Sequence, residues 1–265
     1  MLLELLTGLP AADWERPTEC PGWTVKGIAL HVLGDDFSLL TRQRDASTDS
    51  LTLFAQDHPG LEFRALLDGF NEHWVTASRF FSTALVVDLL RVVGEWSDAF
   101  YREVGLATMS HEAVGFFAED SPSPYWQVIA REYMERFVHQ SQIRRAVGAP
   151  ELDGEHVCGA ALVAAHVLAA WLRDFAPAPG TTIAIDFGSA GSWTWRRETD
   201  RWSVTDSRPG IPTAHIAVVP DRTVAILSRG VTAAKADASI TITGDEAVAR
   251  GALAVIAPIL GRPDE

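Results

Sequence analysis

Lysine is nearly missing from this chain. Lys26 and Lys235 are the only two, so arginine supplies 20 of the 22 basic residues among 265. Positive charge as a whole is scarce, because 35 acidic residues leave a net charge of −13. Nucleic-acid phosphates would be repelled by that balance rather than neutralised, and an anionic membrane surface also asks for basic residues. Neither is expected as a partner. Small anionic ligands stay open, since a metal or a single arginine can reverse the field inside a pocket. The arginine excess itself reads as the codon habit of a GC-rich genome and carries no mechanism.

Cysteine is equally sparse. Cys20 and Cys158 permit one disulfide, although free buried thiols in a reducing compartment fit two cysteines better. The start, Met1 to Pro10, lacks a basic segment and is too short an apolar run for a signal peptide. No stretch reaches the ~20 apolar residues of a membrane span. The longest candidate, Ala160–Leu172, contains His166 and stops at Arg173-Asp174, which suits a buried helix. A cytoplasmic protein is expected. What is plentiful is core material, with 47% hydrophobic and an ordinary 22% charged residues.

The hydrophobic period changes along the chain. Thr24 to Gln43 has apolar residues at Val25, Ile28, Ala29, Val32, Leu33, Leu39 and Leu40, the spacing of an amphipathic helix with Thr24 as N-cap. Cys20-Pro21-Gly22-Trp23 is a turn that packs its indole on the helix start. The polar stretch 45–60 reads as a loop. Leu61–Phe80 and Thr83–Val104 read as helices, Ser121-Pro122-Ser123-Pro124 breaks them, and Tyr125–Val147 is a long helix ended by Gly148 and Pro150. Glu155–Phe175 is a further helix. Beyond Pro177-Ala178-Pro179-Gly180 come short strands at Thr181–Phe187, Trp193–Glu198, Trp202–Asp206, His215–Val218 and Ser239–Thr243, with helices at Asp221–Arg229 and Asp245–Leu260. The expected organisation is a helical part, residues 1–176, followed by a small α+β part, residues 177–265.

Two helices hold residues able to do chemistry. Projected at ~100° per residue, His31 points away from its apolar stripe, onto a strip shared with Gly27, Gly34 and Ser38. Those small neighbours would suit a pocket wall, and a plain surface histidine fits the same pattern. Glu135 and His139 lie four apart on the long helix, one turn above the other. Carboxylate oxygen and imidazole nitrogen are both good zinc ligands, yet the same spacing arises as a solvent-exposed helix pair. His31 is a candidate third ligand that spacing alone does not bring near. Asp35, one turn on, could orient the imidazole or be a solvated carboxylate. His166 reads as a hydrogen-bonded core histidine. His58, His73, His111, His156 and His215 lack partners at ligand spacing. Cys20 is explained by its turn, and Trp193, Trp195 and Trp202 by packing of a small sheet.

Two stretches carry a resemblance. Trp14-x2-Pro17-Thr18-x-Cys20-Pro21-Gly22-Trp23-Thr24-Val25-Lys26-x4-His31 resembles the N-terminal signature of the mycothiol-dependent maleylpyruvate isomerase family. Arg131-Glu132-Tyr133-x-Glu135-Arg136-x2-His139-Gln140-x2-Ile143-Arg144 is similar to its second signature. The resemblance implies a DinB-like four-helix bundle followed by a small α+β domain similar to sterol-carrier proteins. It also implies a divalent metal, usually zinc, on His31, Glu135 and His139. One departure is the beginning: the family's first helix is generally longer than Met1–Leu9 permits, so that helix is abbreviated or the start is placed too late.

Three protein ligands would leave a zinc open positions, the mark of a catalytic site, and an open zinc takes a bound thiol to thiolate. The resemblance names mycothiol as that thiol. The expected activity is thiol transfer or isomerisation on a small electrophilic substrate. Metal-assisted hydrolysis by bound water and a non-enzymatic metal- or ligand-binding regulatory module are the alternatives. Substrate choice is expected to lie in the loop Gly105–Ser123 and at the domain interface. Oligomeric state has no signal.

Overall fold

Helix follows helix up to residue 171, and strands begin only at residue 182 in the computed structural model, which describes residues 1–111, 122–206 and 210–262. The helices of the first stretch are α1 (Leu2–Thr7), α2 (Val25–Leu39), α3 (Leu51–Asp57), α4 (Phe63–Ser78), α5 (Thr83–Glu103), α6 (Tyr125–Val147) and α7 (Gly154–Trp171). Their ends follow local chemistry. Thr24 and Ser82 side chains accept the amides of Gly27 and Leu85, capping α2 and α5. α6 begins after Pro124 and stops at Gly148, whose φ of 69° is left-handed and suits glycine.

The sheet that follows has five strands: β1 (Thr182–Asp186), β2 (Ser192–Arg197), β3 (Trp202–Thr205), β4 (Ala214–Val218) and β5 (Ile240–Gly244). Their order is β3-β2-β1-β4-β5, with β1 and β4 parallel and every other pair antiparallel. Two short helices, α8 (Thr223–Leu227) and α9 (Ala233–Asp237), precede β5, and α10 (Glu246–Leu260) closes the chain. The fold is therefore a helical N-terminal region followed by a small mixed-sheet region.

Two compact units divide the described residues. One comprises 1–111, 122–129 and 142–150; the other comprises 130–141 and 151–262. In the first, α2 packs on α4 and α5, and α1 also lies against α5. Its core joins Leu6, Trp14, Ile28, Leu33, Val86, Leu90 and Ile143. Burying each such side chain contributes roughly 1.5–3 kcal/mol. In the second, α7 and α10 cover the sheet, and Ile183, Ile185, Trp195 and Ile216 meet Ala160, Leu168, Leu172, Ala252 and Ile256. Trp195 is fully buried and donates Nε1–H to the Ala165 carbonyl at 2.9 Å; Trp202 donates to Phe175 at 3.0 Å. The tryptophan cluster is packing.

Three local expectations need correction. The stretch 45–60 contains α3, a helix of seven residues held by Phe54 against Phe70 and His58. Its apolar residues are too few to show a period within a polar background. α9 was also absent from the strand-and-turn pattern; it is capped by Thr232, whose side chain accepts the Lys235 amide. Lastly, Gly154–Asp174 is long and apolar enough to cross a membrane by length and composition. Its Val157, Ala160, Ala161, Leu168 and Leu172 belong to the core of the second unit, which accounts for that apolar character.

α2 differs from an ordinary amphipathic helix. Eleven of its fifteen residues are buried, including His31, Asp36 and Ser38. A Cβ added to Gly34 would stand 2.4 Å from the Trp74 indole, so the ring occupies the space a side chain would need. Gly34→Ala should therefore destabilise the fold by roughly 1–3 kcal/mol, read as a lower denaturation midpoint with an unchanged slope. An unaltered midpoint would mean that Trp74 yields freely.

Candidate metal centre

Thr24 starts α2, and His31 stands two turns later with only 6% of its surface exposed. The strip it shares with Gly27, Gly34 and Ser38 is covered rather than open. Trp23 lies over His31, with ring centroids 5.0 Å apart, and a Cβ on Gly27 would come 3.1 Å from the Cβ of Trp23. Trp74 fills the space over Gly34 and donates Nε1–H to the Leu30 carbonyl at 2.7 Å. Ser38 meets Ser50 at 2.8 Å. The small residues admit two tryptophans, and the surface-histidine alternative falls.

α6 is anchored beside the start of α2. Ile143, fully buried, shares a core with Val25 and Ile28. The Cys20 thiol donates to Gln142 Oε1 at 3.3 Å, and Arg145 grips both Glu19 oxygens at 2.8 and 2.7 Å. One turn before Ile143 comes His139, 8% exposed, and one turn earlier still the half-buried Glu135. His139 Nε2 is 3.2 Å from Glu135 Oε2. The other carboxylate oxygen faces Arg131 Nη2 at 3.8 Å. Arg131 also bonds Glu132, whose second oxygen lies 3.4 Å from Arg136 Nη1.

His31, Glu135 and His139 each offer a donor atom, and these atoms lie within 4.8 Å of one another. Among the described residues this is the one set of three or more histidine, cysteine or carboxylate donors that converges so. Zinc bonds of ~2.0–2.2 Å at tetrahedral angles separate two donors by about 3.4 Å. The Glu135–His139 separation of 3.2 Å is close to that value. Two imidazoles and one carboxylate are also the donor types a borderline cation such as zinc takes.

Residues 1–144 match the family model described as mycothiol maleylpyruvate isomerase N-terminal domain. The chain belongs to that family. Solved structures sharing its fold include a mycothiol-dependent maleylpyruvate isomerase at 13% identity and TM-score 0.51, covering 91% of this chain and 87% of the other. A histidine-to-alanine mutant of a mycothiol-dependent maleylpyruvate isomerase aligns over the same shares at 12% identity and TM-score 0.50. No curated protein matches the chain. All three donors fall inside the residues that match the mycothiol maleylpyruvate isomerase model.

The other singled-out residues have structural surroundings of their own. His58 and His73 border an open groove of about 480 Å³ with Phe54, Leu61 and Glu72. His215 Nε2 lies 3.7 Å from Asp186, and the His156 carbonyl accepts the Tyr133 hydroxyl at 2.8 Å. Both cysteines are free, Cys158 exposed and Cys20 half-buried, so the expectation of buried thiols is corrected at both. Residues 112–121 of the loop Gly105–Ser123 lie outside the described residues. Sequence reasoning missed buried Glu132 and Asp36, which sit at 2% exposure. Ser97 donates to Asp36 at 3.2 Å. Asp36 has no spacing signature, because Ser97 lies 61 positions away; Glu132 has Arg136 four residues on, a spacing that a solvated helix pair shares.

Two outcomes follow. Glu132→Ala leaves Arg131 and Arg136 without their shared carboxylate and should cost roughly 3 kcal/mol of unfolding free energy; a change below the error of a denaturant titration would show that the pair is already solvated. Burial on α7 holds the His166 imidazole below its ordinary range. The unfolded chain then binds more protons, so stability should fall as pH drops from about 6.5 toward the lower folded value. His166→Gln should flatten that part of a melting-temperature profile, and an unchanged profile would assign the slope to other groups.

Proposed function

We propose that the chain is a metal-dependent enzyme that uses a small thiol, mycothiol, on a small electrophilic substrate, as a transferase or isomerase akin to maleylpyruvate isomerase. His31, Glu135 and His139 are the proposed ligands of a divalent metal, zinc by donor chemistry. The convergence of these three donors within 4.8 Å carries the reading, and family membership supports it.

When bound there, such a metal supplies a positive charge that stabilises a thiolate at neutral pH. The chain's own part is to present and balance the donors. His31 and His139 offer neutral nitrogens, and Glu135 supplies one negative charge, so the set leaves net positive charge for an incoming anion. Arg131, 3.8 Å from the second Glu135 oxygen, holds that carboxylate along the helix. Three protein donors leave coordination positions for a small molecule. The thiolate sulfur would bond to an electron-poor carbon of a substrate double bond, whose π pair moves onto the conjugated carbonyl. In a transferase the adduct takes up the thiol's proton and keeps its C–S bond; in an isomerase the former double bond, now single, rotates, the electron pair returns to re-form it, and the thiolate leaves.

Metal analysis of the purified protein paired with thiol-dependent conjugation of a generic electrophile tests this. His139→Ala should release most bound metal while the helical circular dichroism stays nearly unchanged. Retention of stoichiometric metal by that variant would sink the ligand assignment. Turnover should require both metal and mycothiol or an analogue. Turnover without thiol would favour hydrolysis, and metal-dependent ligand binding without turnover would favour a regulatory module.

A further inference from the structure

Trp23 is held by every polar atom it has. Its amide donates to the Cys20 carbonyl at 3.0 Å, closing the Cys20–Trp23 turn. Its own carbonyl accepts both the amide and the hydroxyl of Thr18, at 3.1 and 2.8 Å. Its indole Nε1–H donates to Glu72 Oε2 at 2.7 Å, a charge-assisted bond from α4. The second Glu72 oxygen is in turn fixed by the Thr76 hydroxyl at 3.1 Å. The ring so constrained leans on His31 with centroids 5.0 Å apart and planes 38° apart. Gly27, with no side chain, lets the tryptophan come down that far. The Thr18 hydroxyl also accepts the Cys20 amide at 3.2 Å, so the turn cannot slide without breaking several bonds together.

Packing by itself would not require the Nε1 bond. A half-buried tryptophan at a helix start satisfies its N–H with water at little cost. Here the bond goes to a carboxylate on another helix and so fixes the ring's rotation as well as its position. An imidazole with a fixed indole leaning on it at this distance loses freedom about the Cα–Cβ and Cβ–Cγ bonds.

We propose that Trp23 is a positioning residue for His31, and that Glu72 acts through Trp23 by fixing the indole's rotation. The inference rests on the proposed ligand role of His31 for its metal consequence, and on geometry alone for the placement of the ring. Neighbours that orient a ligating histidine typically change metal affinity 10–100-fold when removed.

The test uses the full chain in two forms. In the metal-free protein, the His31 ring resonances, assigned by their loss in His31→Gln, report the indole's ring current. Trp23→Leu should move them strongly, Glu72→Ala less, and Trp23→Phe should keep an aromatic shift. With Co²⁺ as the probe, Trp23→Leu should weaken binding about tenfold or more and alter the visible spectrum, and Trp23→Phe should restore much of the affinity. Glu72→Ala should weaken binding by a smaller factor, and by nothing further in the Trp23→Phe background. Unmoved resonances and unchanged cobalt affinity in Trp23→Leu would overturn the role of Trp23. Equal effects of Glu72→Ala in both backgrounds would overturn the coupling. If the unaltered protein bound no cobalt, the metal reading would fail, and the resonances would still decide whether Trp23 places the ring.

Discussion

Helix α2 has to satisfy neighbours on nearly every side at once. Most of its residues are buried, and the histidine proposed as a ligand is among them. A polar ring in that position needs partners with fixed geometry, because burying an imidazole without them is costly. The chain meets this requirement with bulk on its neighbours and little on α2 itself. Trp23 and Trp74 press onto the positions of Gly27 and Gly34. The glycines thus answer to close packing, and the histidine's surroundings follow from where the indoles land.

The same economy appears on α6. Its charged residues serve one another along the helix: Arg131 faces Glu132 and Glu135, Arg136 faces Glu132, and Glu135 faces His139. A carboxylate flanked in this way is held in one direction, as the proposed ligand role asks. Farther along, Ile143, Gln142 and Arg145 tie the helix to the segment that leads into α2. Both candidate ligand helices are therefore referenced to one short stretch, Glu19 to Thr24. A turn rich in fixed bonds is a better reference than a long side chain on the surface, whose rotamers cost entropy to hold.

Much of the fold was legible because its signals are local. The bounds of α6 agree with the pattern from Tyr125 to Val147, since proline before and left-handed glycine after are chemical stops. The change from helix to sheet around residues 175–182 also shows in the alternation of β4 and the apolar run of β1. Short elements escaped for the converse reason. α3 and α9 have seven and five residues and are maintained by a few contacts, Phe54 with Phe70 and the Thr232 cap. Periodicity needs more turns than these helices possess.

The sequence alone determined that Glu135 and His139 share a helix face, because four residues are close to one turn whatever the rest of the chain does. It determined the motifs by which the family is identified and the residue types that a metal would use. The tertiary structure decided the remainder. Whether His31 met solvent or a covered interior depended on residues 23 and 74, and the seat of Cys20 on Gln142 depended on how separate segments of one unit pack. Contacts between residues a hundred positions apart leave no period in a single sequence; they arise from shape and are seen only when the chain is folded.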